Sequence, residues 1–324
     1  MFHERIFSIP LGDPKKWSKS LDGKRETIIF AKDKKTMEFR TRIEIGKPPF
    51  AIGAQEEVLL VGSCFADNLG KKFIEEKFLA TANPYGVMYN PASILHTLER
   101  YGKELSDGKS VFACQKPAVA ILTFGTNHVY RLKSAGKIVD NCQKRPQQLF
   151  TEEELGIEAC LDYMRKSVGI LKDINPYVNI IVTVSPIRYA KYGFHGSQLS
   201  KAVLLLATDI LAAEDGSCTY FPAYEIILDE LRDYRFYKQD MLHPSDQAVD
   251  YIWERFTELF LSDGAKQFIK EWNPIKNALG HRPFDPESPE YKAFIEATLG
   301  KIALLKQKYP RLEITENIDE IFHR

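Results

Sequence analysis

Long apolar runs are absent from this chain of 324 residues. No stretch approaches the roughly 20 consecutive apolar residues that a membrane-spanning helix needs. The opening residues, MFHERIFSIPLGDPKKW, also lack the apolar block of a signal peptide. The sequence therefore predicts no membrane span, and it predicts a cytoplasmic location by default.

A surplus of either charge is absent too, because 44 Lys and Arg residues balance 44 Asp and Glu residues. A chain with zero net charge has no long-range attraction to nucleic acid or to an anionic membrane. We therefore predict no nucleic-acid partner, whereas nothing in the sequence indicates the oligomeric state.

Cysteine is scarce, and its spacing follows no recognisable pattern. Five cysteines lie far apart, without a CxxC pair or a neighbouring group of histidines. An odd number at such spacing predicts neither a disulfide framework nor a zinc site. The rest of the composition, with 44% hydrophobic and 27% charged residues, is typical of a globular protein that buries a sizeable core.

The most informative segment that is present covers residues 58–70, VLLVGSCFADNLG. Its apolar start predicts a buried strand, Gly62 permits a sharp turn, and an amphipathic helix follows over residues 64–78. Ser63 then lies between strand and helix, where unpaired amides and the helix dipole favour an oxyanion. This position suits a catalytic nucleophile, and it equally suits an N-cap, the commonest role of serine at a helix start.

A second segment, residues 237–253 or YKQDMLHPSDQAVDYIW, places Asp240 three residues before His243. A short turn brings the carboxylate onto the imidazole, where it fixes the tautomer and stabilises the cationic ring. The other ring nitrogen is then available to take a proton from a serine. The alternative is that Asp240 and Ser245 cap helix ends while His243 is an ordinary surface histidine.

Two further segments contain candidate oxyanion donors. Residues 118–130, AVAILTFGTNHVY, predict a buried strand that ends at Gly125 and places Asn127 at the same sheet edge as Ser63. Residues 83–91, NPYGVMYNP, predict an ordered loop in which Gly86 lets its own amide approach a substrate. Both segments are also explained as plain turns, because Gly, Asn and Pro are favoured turn residues.

In this order, the candidates Ser63, Gly86, Asn127 and His243 resemble the SGNH hydrolase superfamily, whose four letters name the nucleophile, two oxyanion donors and the base. The string GSCFA at residues 62–66 more narrowly resembles the bacterial GSCFA family, which is named for that motif. The resemblance covers roughly residues 39–261. It continues through TVSPIRY (183–189), HGSQLSKAVLLLA (195–207), YFPAYEI (220–226) and RDYRFYKQDMLHP (232–244), with HRPFDPES (281–288) as a weaker extension.

The resemblance implies a serine esterase that works through an acyl-serine intermediate and needs no metal or organic cofactor. Ser63 is then the nucleophile, His243 the general base oriented by Asp240, and the oxyanion is held by the amides of Ser63 and Gly86 and the side chain of Asn127. Small esters, such as O-acetyl groups on a carbohydrate or cell-wall fragment, are the implied substrates. An acyltransferase with the same triad and a non-catalytic ligand-binding module stay open as alternatives.

Two positions depart from the superfamily pattern. No Asp stands between Gly62 and Ser63, and His128 follows Asn127 where the superfamily has Asp. Neither departure removes a catalytic group. No substrate preference can be transferred from better-known esterases, however, because function depends on the site and not on the fold.

Residues beyond the third predicted strand are expected to shape the pocket. Arg188 is a candidate for binding a substrate carboxylate or phosphate, although an arginine at a strand end is also explained as a surface or ion-paired group. Tyr192 and His195, in the loop beyond it, are further candidate substrate-binding residues.

Three residues compete with the predicted catalytic groups. His128 and His195 are rival bases, and both rank below His243 because neither has an acidic residue at close sequence spacing. Cys64 is the rival nucleophile. Its position as the first residue inside the helix predicts a side chain turned away from the sheet edge and a buried structural thiol.

The alternation of strands and helices predicts a three-layer α/β/α fold with a central parallel sheet, of the SGNH or flavodoxin-like type. Three regions are predicted: an N-terminal extension (1–36), a hydrolase domain (37–262), and a helical C-terminal extension (263–324) packed on that domain, with a helix capped at Ser288. Strands are predicted at residues 58–61, 119–124 and 178–184, and helices at residues 64–78, 92–101, 152–172, 198–213 and 245–261.

Overall fold

The computed structural model describes residues 41–140, 142, 145–286 and 288–314. The predicted N-terminal extension, residues 1–36, lies outside the described residues. The same is true of residues 37–40, where the predicted hydrolase domain begins.

Strands form a parallel sheet at the centre of the fold and a small antiparallel sheet beside it. In chain order they are β1 (Glu57–Gly62), β2 (Leu79–Ala82), β3 (Val119–Phe124), β4 (His128–Leu132), β5 (Lys137–Val139), β6 (Phe150–Glu154), β7 (Asn179–Val184) and β8 (Cys218–Tyr220). The parallel sheet has the spatial order β2-β1-β3-β7-β8. The chain changes direction across the sheet between β1 and β3, which is where open parallel sheets form their binding crevices.

Helices cover both faces of the parallel sheet. They are α1 (Cys64–Glu75), α2 (Pro91–Ser106), α3 (Ile157–Ile174), α4 (Gly193–Glu214), α5 (Asp246–Phe260), α6 (Asp263–Leu279) and α7 (Pro289–Lys308). Helices α2, α3 and α4 pack on one face, and α1, α5, α6 and α7 pack on the other. The predicted three-layer α/β/α fold is therefore confirmed. No helix within the described ranges is both long enough and apolar enough to span a bilayer.

The uninterrupted apolar run of β1 follows from burial on both faces. Side chains alternate along a strand, so Leu59 and Val61 pack with the helices of one layer while Val58 and Leu60 pack with the other. All four are fully buried. The prediction of a buried strand at residues 58–61 is correct for this reason.

The small sheet, with the order β5-β4-β6, was not expected from the sequence. Strand β6 pairs antiparallel with β4, with Glu154 opposite His128 and Phe150 opposite Leu132. The predicted helix at residues 152–172 is therefore wrong in its first part, because residues 152–154 belong to β6 and α3 begins at Ile157. After Phe150, β6 consists of Thr and Glu and shows no apolar period, and pairing with β4 determines its conformation.

Helices α6 and α7 pack on the α1 side of the molecule. Trp272 of α6 donates its ring N–H to the carbonyl oxygen of Glu75 at 2.9 Å. Arg311 Nη2 lies 2.6 Å from Oε1 of Glu57, the first residue of β1. These contacts lie at the end of the sheet opposite to Ser63. The sequence predicted a helical extension over residues 263–324 without bounds for α6, which contains Pro274, a residue that normally breaks a helix.

Candidate active site

Ser63 lies between β1 and α1 at the carboxyl end of the parallel sheet. Gly62 directs the chain from strand to helix with a φ of +145°, which glycine adopts without steric cost. Ser63 is the N-cap of α1, and its Oγ accepts a hydrogen bond from the N–H of Phe65 at 3.2 Å. Serine therefore caps the helix here, as the sequence allowed, and the same position places its hydroxyl at the sheet edge.

Thr123, at the end of the neighbouring strand β3, holds Ser63 from the other side. The hydroxyl oxygens of the two residues lie 3.1 Å apart. The Ser63 N–H donates to both Thr123 Oγ1, at 2.9 Å, and the Thr123 carbonyl oxygen, at 3.1 Å. Ser63 is fully buried, so its hydroxyl is held in a site from which water is largely excluded.

The loop of residues 83–90 is fastened to the ends of β1 and β3 by backbone hydrogen bonds. Met88 N–H donates to the Gly62 carbonyl oxygen at 2.8 Å, and the Tyr89 carbonyl oxygen accepts from Gly125 and Thr126 at 2.8 and 2.9 Å. Asn83 Oδ1 accepts from the Gly62 N–H at 2.8 Å. The predicted ordered loop is thus present, and it bridges the two strands at the switch point of the sheet.

Asp240 and His243 lie in a tight turn that is closed by a bridge between Tyr237 and Pro244. Asp240 Oδ1 accepts from the N–H groups of Leu242 and His243, at 2.8 and 3.0 Å. Asp240 Oδ2 lies 2.6 Å from Nδ1 of the His243 ring. The predicted contact between the two side chains is present, and Nε2 is the ring nitrogen that faces away from the carboxylate.

These hydrogen bonds keep the Asp240 carboxyl group ionised. The backbone N–H groups of His243 and Leu242, followed by the His243 ring, lower the pKa of Asp240 to about 2. The group is therefore negatively charged at neutral pH. A carboxylate in this position orients the imidazole and stabilises its protonated form.

The turn that contains His243 is attached to the segment after β7. Arg188 N–H donates to the Leu242 carbonyl oxygen at 3.0 Å, and its guanidinium donates to the Met241 carbonyl oxygen at 2.9 Å. This segment leaves the same edge of the sheet as Ser63. In the structure as described, no hydrogen bond joins Ser63 to His243, because the partners of Ser63 Oγ are Phe65 and Thr123.

The GSCFA family model matches residues 57–117 and 109–256, and the model of the GSCFA C-terminal domain matches residues 272–324. The chain belongs to the GSCFA family. The family segment contains Ser63, Asp240 and His243, and the C-terminal segment contains the last part of α6 and all of α7.

Solved structures with a similar fold include several esterases. A family 3 carbohydrate esterase from Clostridium thermocellum is 13% identical with a TM-score of 0.37, covering 70% of this chain and 100% of the other. A GDSL-like lipase from Bacteroides thetaiotaomicron is 12% identical with a TM-score of 0.39, covering 67% and 88%. A catalytic mutant of an acetylxylan esterase from Geobacillus stearothermophilus is 11% identical with a TM-score of 0.41, covering 64% and 95%. No curated protein sequence matches the chain.

The backbone amides that were predicted to bind an oxyanion are used inside the GSCFA protein. The Ser63 N–H donates to Thr123. The Gly86 N–H donates to the Asn83 carbonyl oxygen at 2.8 Å and closes a turn in which Gly86 has a φ of +93°. In this structure Thr123 accepts from one N–H and a turn uses the other, and a role for either amide in binding an oxyanion stays a prediction.

Asn127 differs from the two amides because its side-chain nitrogen carries two hydrogens. The Asn127 Nδ2 donates to the Leu155 carbonyl oxygen at 2.8 Å, and the residue is buried. One hydrogen of the group is sufficient for that contact. A role for Asn127 in binding an oxyanion stays a prediction.

The three predicted substrate-binding residues do not form one cluster of free polar groups. Arg188 stacks over the ring of Phe194 at 4.0 Å and holds the turn that contains His243. Tyr192 stacks on the ring of His128 with centroids 3.6 Å apart. His195 is exposed in the first turn of α4. The contacts of Arg188 are structural, and contact of any of the three with substrate stays a prediction.

Two rival residues differ from their predicted surroundings. His128 has a carboxylate close by after all, because pairing of β4 with β6 places Glu152 at 3.3 Å from its Nδ1. Burial lowers the pKa of His128. Cys64 is partly exposed, and its Sγ lies 3.6 Å from the hydroxyl of Tyr89, so the prediction of a buried thiol is wrong. The Cys64 side chain, at the start of α1, lies beside Tyr89 of the 83–90 loop.

Lys201 is a residue of the site that the sequence reasoning missed. Its Nζ is buried and donates to the carbonyl oxygens of Gly125 and Ser185, at 2.6 and 2.8 Å. It therefore joins the segments that follow β3 and β7. A signal was present in the sequence, because Lys201 falls at helical spacing between Ser197 and Leu204 on the buried face of α4.

Burial lowers the pKa of Lys201 to about 7. A neutral amine has two N–H groups, which suffice for the two carbonyl acceptors. In the unfolded chain the amine keeps its proton up to about pH 10.4. Between these pH values the unfolded state binds more protons than the folded state, so this group makes the protein more stable as pH rises.

We therefore expect the free energy of unfolding to increase by about 2 kcal/mol between pH 7 and pH 9 relative to a Lys201→Met variant. Urea unfolding of both proteins at the two pH values measures this difference. Lys166→Met is the control, since Lys166 is exposed and pairs with Asp162 at 2.6 Å. Parallel pH profiles for wild type and Lys201→Met would contradict the assignment.

Proposed function

We propose that this GSCFA protein is an SGNH-type serine esterase in which Ser63 is the nucleophile and His243 is the general base. The observation that carries the proposal is the contact of Asp240 with His243 Nδ1 at 2.6 Å, in a turn attached to the sheet edge at which Ser63 lies. This contact fixes the imidazole with Nε2 as the proton acceptor. A surface histidine without a catalytic role does not require a carboxylate to orient its ring.

In the proposed reaction, Ser63 Oγ bonds to the carbonyl carbon of an ester while its proton passes to His243 Nε2. The protonated ring then gives this proton to the leaving alcohol, and an acyl-serine remains. Water then attacks the acyl-serine while His243 takes its proton, and the carboxylic acid and free Ser63 are released. The ionised Asp240 stabilises the imidazolium in both halves of the reaction.

Ser63 must change its hydrogen bonds before it can attack. Its hydroxyl accepts from Phe65 N–H and lies beside Thr123 Oγ1. The proposed reaction requires the hydroxyl to leave these partners, which rotation about the Cα–Cβ bond allows. Catalytic hydrogen bonds commonly tighten only when substrate is bound, so the described geometry is that of a resting state.

The proposed substrates are small acyl esters, such as O-acetyl groups on a carbohydrate or cell-wall fragment. The nucleophile is fully buried, which restricts the acyl group. Tyr89 and Tyr189, with ring centroids 6.3 Å apart, supply aromatic surface beside it. A cleft of about 440 Å³ borders the 83–90 loop through Tyr85 and Met88, but Ser63, Tyr189 and His243 are not among its lining residues, so it does not indicate the substrate.

A non-catalytic ligand-binding module is the second candidate function. It is favoured by one observation, which is that Ser63 Oγ caps α1 and has partners within the protein. The two candidates differ in whether Ser63 reacts. An acyltransferase would use the same residues with an alcohol in place of water as acceptor.

Labelling with a fluorophosphonate tests the proposal, because only an activated serine reacts with this probe. We expect one adduct, on the peptide that contains Ser63, and loss of labelling and of ester hydrolysis in Ser63→Ala. Ser262→Ala is the matched control: Ser262 is the N-cap of α6, so its replacement removes a helix cap worth about 1 kcal/mol without touching the site. An adduct on Cys64, or full activity in Ser63→Ala, would reject Ser63 as the nucleophile. No adduct and no ester hydrolysis by the wild-type protein would favour the binding module.

A further inference from the structure

The hydroxyl group of Tyr189 is buried beside Ser63 and has no hydrogen-bond partner among the residues that the structure describes. A Cβ atom placed on Gly125 would lie 2.3 Å from Tyr189 Oη and 3.4 Å from Ser63 Cβ. Both groups therefore border the same side of Gly125, at the carboxyl end of β3. Tyr189 as a whole residue is partly exposed, but its hydroxyl oxygen is buried.

Contacts that do not involve the hydroxyl hold Tyr189 in place. Its N–H donates to Ser197 Oγ at 3.2 Å. Its ring meets the ring of Tyr89 edge to face, with centroids 6.3 Å apart, and Lys201 Nζ lies 5.2 Å from its centroid. A phenylalanine would make the same ring contacts.

An unpaired hydroxyl in such a place is unfavourable in the free protein. A buried donor without an acceptor costs about 1–3 kcal/mol, and most buried polar groups have a partner. Burial raises the pKa of Tyr189 well above its usual value, so the group keeps its proton at neutral pH. The hydroxyl is therefore a hydrogen-bond donor that is held next to the proposed nucleophile and has no acceptor within the described part of the chain.

We propose that Tyr189 Oη donates a hydrogen bond to the carbonyl oxygen of the bound ester and to the oxyanion that forms from it. This inference rests on the proposed esterase function, since it assigns a catalytic donor for attack by Ser63. When Ser63 Oγ bonds to the carbonyl carbon, its proton passes to His243 and the π electron pair of the carbonyl moves to the oxygen. Tyr189 keeps its own proton throughout and stabilises the negative charge through the hydrogen bond.

Neighbouring donors fit this role less well. Lys201 Nζ donates to the carbonyl oxygens of Gly125 and Ser185. The hydroxyl of Tyr89 lies 3.6 Å from Cys64 Sγ. The amides of Ser63 and Gly86 donate within the protein, as described above. The two amides already donate to Thr123 and Asn83, so Tyr189 is the neighbouring donor that is available to an oxyanion.

The test compares Tyr189→Phe with the wild-type protein in two assays. The first is the rate at which a fluorophosphonate modifies Ser63, followed by mass spectrometry, because the phosphoryl oxygen of the probe takes the place of the carbonyl oxygen. The second is hydrolysis of p-nitrophenyl acetate. We expect the labelling rate and kcat to fall about 100-fold or more, with KM close to wild type, since the hydrogen bond strengthens as charge develops.

Thermal unfolding separates this role from a structural one. We expect the Tm of Tyr189→Phe to equal or exceed that of wild type, because the variant loses an unpaired buried hydroxyl. Tyr101→Phe is the matched control. Tyr101 is fully buried and donates to the Cys114 carbonyl oxygen, so its variant should lose thermal stability and keep its kcat.

The outcomes distinguish the inference from the function on which it rests. If wild type is labelled on Ser63 and Tyr189→Phe reacts within about twofold of it, Tyr189 is not an oxyanion donor and the esterase proposal stands. If wild type gives no adduct on Ser63, the esterase proposal and the role of Tyr189 are both rejected.

Discussion

Replacing Asp240 by asparagine is expected to lower ester turnover by about 10⁴-fold while the fold stays intact. Asparagine keeps an oxygen that accepts from the N–H groups of Leu242 and His243, so the turn can form. Its NH₂ group then faces His243 Nδ1, where the carboxylate oxygen now lies at 2.6 Å. The ring must accept at Nδ1 and carry its proton on Nε2, and in that tautomer it cannot take a proton from Ser63.

Steady-state hydrolysis of p-nitrophenyl acetate and circular dichroism of the variant measure the two parts of this prediction. His243→Ala should reduce turnover at least as much. Asp233→Asn is the matched control, because Asp233 Oδ1 also accepts a backbone N–H, that of Arg235, at 2.9 Å in an exposed turn. Turnover near the wild-type value in both Asp240→Asn and His243→Ala would reject these two residues as catalytic groups.

Replacing Gly62 by alanine is expected to lower the free energy of unfolding by more than about 4 kcal/mol. A Cβ at this position would lie 2.2 Å from the carbonyl oxygen of Thr123 and 2.6 Å from its Oγ1. The nearest atom belongs to the backbone of β3, so relief of the clash requires β1 and β3 to separate. The φ of +145° adds strain for any residue with a side chain.

Urea unfolding followed by circular dichroism gives the stability of this variant, and soluble yield gives a second readout. Gly108→Ala is the control for backbone strain alone, because Gly108 has a φ of +65° and nothing within 4 Å of its Cβ position. We expect that variant to lose roughly 1 kcal/mol. Equal losses at the two glycines would show that contact with Thr123 is not the cause.

The architecture of the layers could be predicted because its signals are local. The apolar runs at residues 58–61 and 119–122 form strands because both of their faces are covered, and burial on two faces favours an uninterrupted apolar run. The Asp240 and His243 contact was predictable for a similar reason. A carboxylate three residues before a histidine reaches the ring within one turn, so no distant part of the chain has to be known.

The remaining features depend on contacts between distant parts of the chain. Residues 150–154 form a strand only because β4 lies beside them. Whether the Ser63 amide is free depends on Thr123, which is 60 residues away. The hydroxyl of Tyr189 is significant because it has no partner among the residues that the structure describes, and this becomes visible only when its neighbours are placed. Sequence patterns therefore did not predict which hydrogen-bond donors of the site already have an acceptor.

The fastening of the 83–90 loop has a consequence for how members of this family can diverge. Most of its anchors are main-chain groups, including the N–H of Met88 and the carbonyl oxygen of Tyr89, and Asn83 adds one side-chain oxygen. Substitution of Tyr85 or Tyr89, neither of which is fully buried, therefore leaves these main-chain anchors in place, whereas Met88 is buried in the core. Under the proposed esterase function, substrate preference can change at these two tyrosines while the backbone that frames Ser63 keeps its position.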